Sequence, residues 1–293
     1  MRRAPAAGLL GLVAWGATGA AAQEIPTFAA GVEAIRLDVL VTDRDRVVTG
    51  LQASDFEVSD NGVVQDVELV GGEKLPLNVI LALDTSGSLA GEPLEHLRSA
   101  GQALLGRLLP EDLVGLVTFS HEVSLREPLT TDRERLRRAL AAVEPRGGTA
   151  VIDGSYAAMM LGESDDGRDL MIVFSDGVDT SSWLREQQVL EAARRCNVVI
   201  YGVAVRGTTA PDFLGKLCWM TGGSLFEVES TRDLSATFLF IFDEFRSRYL
   251  LRYTPRGVSS EGWHSIDVKV KGRRGAARVR SGYMAGAAPS PAG

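Results

Sequence analysis

In the stretch NVILALDTSGS, Asn78 to Ser88, an apolar run stops on one carboxylate, Asp84, and hydroxyls follow at Ser86 and Ser88 on either side of Gly87. Two later stretches carry oxygen side chains in similar settings. RGGTAVIDG places Thr149 after a Gly147-Gly148 pair, and VFSDGVDT places Asp176 just past another apolar run. If these three segments meet, Asp84, Ser86, Ser88, Thr149 and Asp176 form an oxygen-only donor set, which suits a hard divalent cation. Magnesium or manganese fits it better than calcium, which takes about six to eight oxygens and often bidentate carboxylates. The hydroxyls add no negative charge, so a metal with an open place should attract a carboxylate from outside. The partner expected on this chemistry is a protein presenting an acidic residue.

The segments must be brought together by the elements they end. From Val79 onward the runs VILAL, LVGLVTF, LMIVF and VVIYGVAV are continuous, as in strands buried on both faces. Between them apolar residues recur at helical spacing: Leu94, Leu97, Leu104, Leu105 and Leu108; Leu136, Leu140 and Val143; Val189, Ala192, Ala193 and Cys196; Leu234, Phe238, Ile241, Phe242 and Phe245. Strand and helix in alternation predict a doubly wound, mostly parallel α/β sheet. Val123 to Leu129 follows its predecessor too closely for a crossover and is expected as an antiparallel edge strand. In such sheets ligands bind beyond the carboxyl ends of the strands. Asp84 and Asp176 leave strands at that edge, and Thr149 opens a helix there.

The flanks have a different rhythm. Ile35, Leu37, Val39 and Val41 alternate with Ala34, Arg36, Asp38 and Leu40, and Ile266, Val268 and Val270 alternate with Asp267, Lys269 and Lys271. Period two marks half-buried antiparallel strands, and neither flank alone has enough of them for a stable sheet. Residues 23–74 and 248–285 are therefore expected to pack together as one small antiparallel β-domain around a domain spanning 75–247. The tail 286–293 reads as disordered. Residues 1–22, with Arg2 and Arg3 before an apolar segment and AAAQ at its end, read as a signal peptide cleaved after Ala22. A membrane role follows only if that segment is retained; it is shorter than the roughly 20 apolar residues that span a bilayer. The mature chain is accordingly expected to be periplasmic or secreted.

The 293 residues carry a formal charge of -7, which lacks the basic excess of a nucleic-acid binder. The only cysteines are Cys196 and Cys218. Each is expected toward the end of the domain opposite the oxygen cluster, so a disulfide is one expectation and two separately buried thiols the other.

The DTSGS of the first loop, with the later GGT and SDG, resembles the metal-ion-dependent adhesion site of von Willebrand factor type A domains, whose first loop reads Asp-x-Ser-x-Ser. All five motif positions have counterparts: Asp84, Ser86, Ser88, Thr149 and Asp176. The resemblance implies that the two serines bind the metal directly, that the threonine binds directly or through water, and that the aspartates act largely through water. It also implies that a helix shift could regulate affinity. GLQASDFEVSDNG and YLLRYTPRG, on either side, resemble a secreted bacterial subgroup in which such a domain sits between short β-flanks.

Other readings compete. Taken singly, Ser86, Ser88 and Thr149 also suit helix capping, and SDG is an ordinary turn. Asp153 reads as a first-turn helix charge, Asp179 as a loop residue with some chance of helping the site, and Asp165 and Asp166 as a solvated turn. For catalysis there is no Gly-x-Ser-x-Gly elbow, no Gly-x-x-x-x-Gly-Lys loop, and no obvious base among His96, His121 and His264. A non-enzymatic binding module without a small-molecule cofactor is the leading expectation. A structural envelope component with a loop-stapling metal comes next, and a metal-dependent hydrolase last.

Overall fold

The structure, a computed structural model, describes residues 34–286 apart from 45, 72–74, 163–166, 207–211 and 273–274. The chain divides into two compact units, Met1–Val32 and Glu33–Gly293. The first, and with it the expected signal peptide, lies outside the described residues, as do Asp165, Asp166 and all of the tail after Gly286.

Five strands come first: β1 (Ile35–Asp43), β2 (Arg46–Val47), β3 (Phe56–Asp60), β4 (Val63–Gln65) and β5 (Glu68–Leu69). The α/β part follows with β6 (Leu77–Asp84), α1 (Glu92–Leu105), β7 (Leu113–Phe119), β8 (Val123–Thr130), α2 (Arg133–Ala141), α3 (Val151–Leu161) and β9 (Arg168–Ser175). It continues through α4 (Glu186–Ala193), β10 (Val199–Val205), α5 (Asp212–Thr221), β11 (Leu225–Val228) and α6 (Leu234–Arg246). The chain then returns to strands β12 (Tyr249–Tyr253), β13 (Gly262–Val270), β14 (Ala276–Arg278) and β15 (Gly282–Ala285).

The central sheet has the order β11-β10-β9-β6-β7-β8. Its pairs are parallel except β7 with β8, which is antiparallel and lies at the edge. The continuous apolar runs have a direct cause. In β6, Leu77, Val79, Leu81 and Leu83 pack with α1, α2 and α6, while Ile80 and Ala82 pack with α3, α4 and α5 on the other face. Each strand residue is thus covered whichever way it points. Helix α1 ends at Leu105, before Gly106, yet Leu108 beyond it still packs on the same core.

The two flanks build one β-sandwich. β1 pairs with β12 from Ile35↔Tyr253 to Val39↔Tyr249, and β3 pairs with β13 from Ile266↔Asp60 to Val270↔Phe56. The resulting sheets, β14-β1-β12-β5 and β15-β13-β3-β4, enclose Leu37, Val39, Phe56, Val58, Leu251 and Val268. At one end Asp60 is fully buried and accepts hydrogen bonds from Tyr253 and Tyr283, both at 2.8 Å, with His264 Nδ1 at 2.7 Å.

One register expectation is corrected. Alternation puts Leu40 on the face of β1 shared with Arg36 and Asp38, yet it is 2% exposed. That face of β1 is covered where it approaches the central sheet. Neighbouring Asp38 accepts from Arg168 Nε at 2.7 Å, and Arg168 also donates to the carbonyls of Phe245 and Arg248. Arg248 in turn donates to the Asp38 carbonyl at 3.1 Å and to the Tyr201 hydroxyl at 2.7 Å.

The expected disulfide is also corrected: Cys196 and Cys218 are both buried thiols with no bridge between them. Their side chains point to different neighbours. Cys196 Sγ lies 3.9 Å from Met159 Sδ and donates to the Ala193 carbonyl, whereas Cys218 packs over Gly202 of β10. Burial pushes the Cys218 thiol up to about 12, so it is inert as a nucleophile in the folded chain. Thiol titration without reductant should find both sulfhydryls in denaturant and almost no fast reaction in buffer. A result of none in denaturant would mean that the pair is oxidised.

Candidate metal centre

Asp84 is the last residue of β6, and its carboxylate has no exposed surface. Two donors fix it: Ser86 N at 2.8 Å on Oδ1 and Ser175 Oγ at 2.6 Å on Oδ2. The first of these turns the chain sharply. Thr85 anchors the turn to β7 by donating N–H and Oγ1 to the Phe119 carbonyl, at 2.7 and 3.1 Å. Ser86 Oγ then meets Ser88 Oγ at 3.0 Å, and Ser88 Oγ donates to Asp176 Oδ1 at 3.0 Å. Four of the five expected residues are thereby connected. Exposure rises along the series, from Asp84 and Ser86 at the floor to Ser88 at the rim.

Thr149 joins from the third loop. Its side chain is 6% exposed, and its Oγ1 would lie 3.7 Å from a Cβ placed on Gly177, beside Asp176. Backbone bonds hold the loops in this arrangement: Gly87 N to Gly147 O at 3.0 Å, Arg146 N to Thr85 O at 2.8 Å, and Thr180 N to Thr149 O at 2.8 Å. Gly147 has φ +67, a conformation that favours glycine, and a Cβ there would also meet the His121 ring.

The capping alternative fails on the observed bonds. Ser86 is the N-cap residue of a short 3-10 turn, Gly87–Leu89, yet its side chain makes no cap hydrogen bond. Helix α3 starts at Val151 with Ala150 as N-cap, one residue after Thr149. The hydroxyls of Ser86 and Ser88 are spent on each other and on Asp176. This is an arrangement of converging oxygens with two carboxylates, and it fits a hard cation. Among the described residues no group of three or more His, Cys, Asp or Glu could hold a metal, so an ion at this site would rest on hydroxyl oxygens together with the two carboxylates.

Electrostatics point the same way. Burial raises the Asp84 carboxyl to about 6, opposed by the hydrogen bonds from Ser175 and Ser86, and Asp176 nearby raises it further. A buried carboxylate next to a second one is costly unless a cation balances them.

Three further residues support the cluster, of which the sequence reading does not name Ser175. Ser175, which directly precedes Asp176 in the SDG triplet, ends β9 and donates to Asp84 Oδ2. Asp153 and Asp179 act as reciprocal staples. Asp153 accepts from Trp183 N and Leu184 N, both at 2.9 Å, and Asp179 accepts from Ile152 N and Ser182 N, both at 3.1 Å. Asp153 is therefore more than a first-turn charge: it fastens the loop that follows Asp176.

None of the histidines is hydrogen-bonded to the hydroxyl cluster among the described residues. His96 Nδ1 meets Thr231 Oγ1 at 2.9 Å, His264 is buried in the β-sandwich, and His121 lies beside Ser120 and Glu122.

A fold of this topology carrying this loop set defines a von Willebrand factor type A domain. The family profile for the von Willebrand factor type A domain matches residues 78–239, and the chain belongs to that family. Among curated relatives, human inter-alpha-trypsin inhibitor heavy chain H4 is 24% identical over 207 residues, covering 65% of this chain and 22% of that protein. An uncharacterized protein of Synechocystis sp. is 34% identical over 83 residues, 28% of this chain and 20% of that one. The minor fimbrium subunit Mfa5 of Porphyromonas gingivalis is 27% identical over 152 residues, 48% of this chain and 11% of that one. The chain thus spans 22% or less of the length of these relatives.

A solved von Willebrand factor type A structure from Catenulispora acidiphila has the same fold, with TM-score 0.53, 13% identity, and coverage of 79% of this chain and 72% of that one. Proximal thread matrix protein 1 from the mussel byssus, described with a zinc-occupied MIDAS motif, gives TM-score 0.54 at 16% identity, covering 63% of this chain and 49% of that one. No helix among the described residues is long and apolar enough to cross a membrane.

Proposed function

We propose that this chain is a non-enzymatic, extracytoplasmic binding module in which Asp84, Ser86, Ser88, Thr149 and Asp176 hold Mg2+ or Mn2+. The bound ion supplies an electrophilic open place that takes a carboxylate oxygen from a protein partner. The chain's own residues do the rest. Ser86 presents an oxygen from the floor and Ser88 one at the rim, Asp84 and Asp176 supply the balancing charge, and the surrounding loops set which acidic group can approach. On this reading residues 1–22 are the export signal, 75–247 the binding domain, and 23–74 with 248–285 its supporting β-domain.

The observation that carries the proposal is the chain of contacts from Ser175 through Asp84, Ser86 and Ser88 to Asp176, with no hydroxyl of Ser86 or Ser88 used for capping. A loop-stapling role for the ion is the weaker reading, because backbone bonds between the loops already perform that task. Hydrolysis is the weakest reading, because among the described residues no histidine is bonded to either serine.

Chelator-stripped protein titrated with Mn2+ and followed by electron paramagnetic resonance should take up about one ion per chain. Asp84→Ala should abolish uptake, with the fold retained by circular dichroism. Absence of uptake by the wild-type protein at millimolar Mn2+ and Mg2+ would refute the proposal.

A further inference from the structure

Beside the candidate metal centre runs an open groove of about 540 Å³, walled by His121, Val123, Ala150, Tyr156, Trp183 and Leu184. Its position is fixed by contacts already described. Ala150 follows Thr149, His121 lies against Gly147, and the loop bearing Trp183 leaves from Asp176. The two features therefore form one continuous surface.

Trp183 is 92% exposed. Exposed indoles are costly to water and are common anchors in protein contacts. This one is not on a loose loop, since its own N–H and that of Leu184 are bonded to Asp153, and Ser182 is bonded to Asp179. The loop's ordering cost is already met in the folded chain, which is the condition under which an exposed aromatic contributes most to binding. Two carboxylates also border the groove, Asp153, bonded to those two N–H groups, and Glu122, and their negative charge disfavours a partner's acid there while leaving the aromatic and aliphatic wall open to an uncharged group. Val178, 49% exposed, extends the apolar surface along the same loop.

We infer that this groove receives a bulky apolar side chain of the same partner whose carboxylate the metal site takes. The partner motif is then an acidic residue with an aromatic or large aliphatic residue close to it on an extended protein segment. Charge complementarity fixes the pairing: the acid goes to the cation, and the uncharged side chain goes to the wall of Tyr156, Leu184 and Trp183. The inference rests on the metal-binding reading above and adds the determinant of specificity.

Random linear peptides displayed on phage, panned on the full chain in Mg2+ and eluted with chelator, provide the test. The enriched peptides should combine Asp or Glu with Trp, Phe, Tyr, Leu or Ile within a few residues. A synthetic peptide of the enriched sequence should bind Trp183→Ala and Tyr156→Ala roughly tenfold to a hundredfold more weakly, while Mn2+ uptake by both variants stays as in the wild type. Enriched acidic peptides without a shared apolar residue, or with equal affinity for Trp183→Ala, would overturn the inference and leave metal binding standing. So would the absence of any chelator-eluted peptide from a protein that takes up Mn2+. Loss of Mn2+ uptake in the wild type would instead strike the metal reading itself. Sedimentation of the wild type and Trp183→Ala covers the remaining occupant: a dimer dissolved by the substitution would assign the groove to a second copy of the chain and overturn the partner motif.

Discussion

Asp84→Asn is expected to stabilise the metal-free protein above pH 6 while removing its response to Mg2+. The Asp84 carboxyl titrates near 6 in the folded chain against an ordinary value of 3.8, chiefly because it is buried. Below about pH 4 both folded and unfolded forms hold the proton and this group costs nothing. Between 3.8 and 6 the unfolded chain gives up its proton first, so the folded form binds more protons and stability falls as pH rises. Above 6 the loss is complete, at about 2 to 3 kcal/mol. Asparagine avoids it, and its amide can still accept from Ser86 N and donate to Ser175 Oγ. Urea unfolding in chelator at pH 4 and pH 8 should show the wild type losing more stability across that interval than the variant, in which only the loss from Asp169, a carboxyl that burial likewise raises to about 7, remains. Saturating Mg2+ should restore the wild type by a similar amount, since about a hundredfold excess over Kd is worth roughly 2.7 kcal/mol. Equal pH dependence in the two proteins would remove the assignment of Asp84 as the buried charge that the cation balances.

The second large effect concerns the joint between the β-sandwich and the central sheet. Arg168 is 4% exposed and pairs with Asp38, whose side chain is 10% exposed. Arg168→Met keeps most of the aliphatic volume but strands the Asp38 carboxylate, at an expected cost of about 3 to 5 kcal/mol. The double variant Arg168→Met with Asp38→Leu should recover more than half of that loss, because the larger part comes from leaving one buried charge without its partner. Denaturant midpoints of the two single variants and the double variant complete the cycle. If the double variant is as unstable as the sum of the singles, the pair is not coupled and the joint is held by apolar contact alone.

Much of this architecture is legible in the sequence because burial on both faces leaves a plain trace. The centres of β6, β9 and β10 are unbroken apolar runs, and β8 betrays its antiparallel sense by the shortness of its connection. The five oxygen residues could be named because each stands where such a run ends or a helix begins. What could not be read depends on the direction of single side chains. Leu40 is buried because the joint covers its face, a fact that period two within one strand cannot convey. Cys196 and Cys218 are expected at the same end of the domain, yet one turns toward Met159 and the other toward Gly202. The staples of Asp153 and Asp179 join a helix start to a loop roughly thirty residues away, a distance over which local spacing carries no signal.

Pairing the chain's early and late strands in one sandwich also constrains its synthesis. Asp38 and Arg248 bond across 210 residues, so β1 emerges with Leu37, Val39 and Val41 uncovered and waits on the order of tens of seconds for β12 to be made. Throughout that interval an apolar strand with open edges is available to any neighbouring nascent chain. Truncation just after α6 should therefore yield inclusion bodies rather than a trimmed α/β domain.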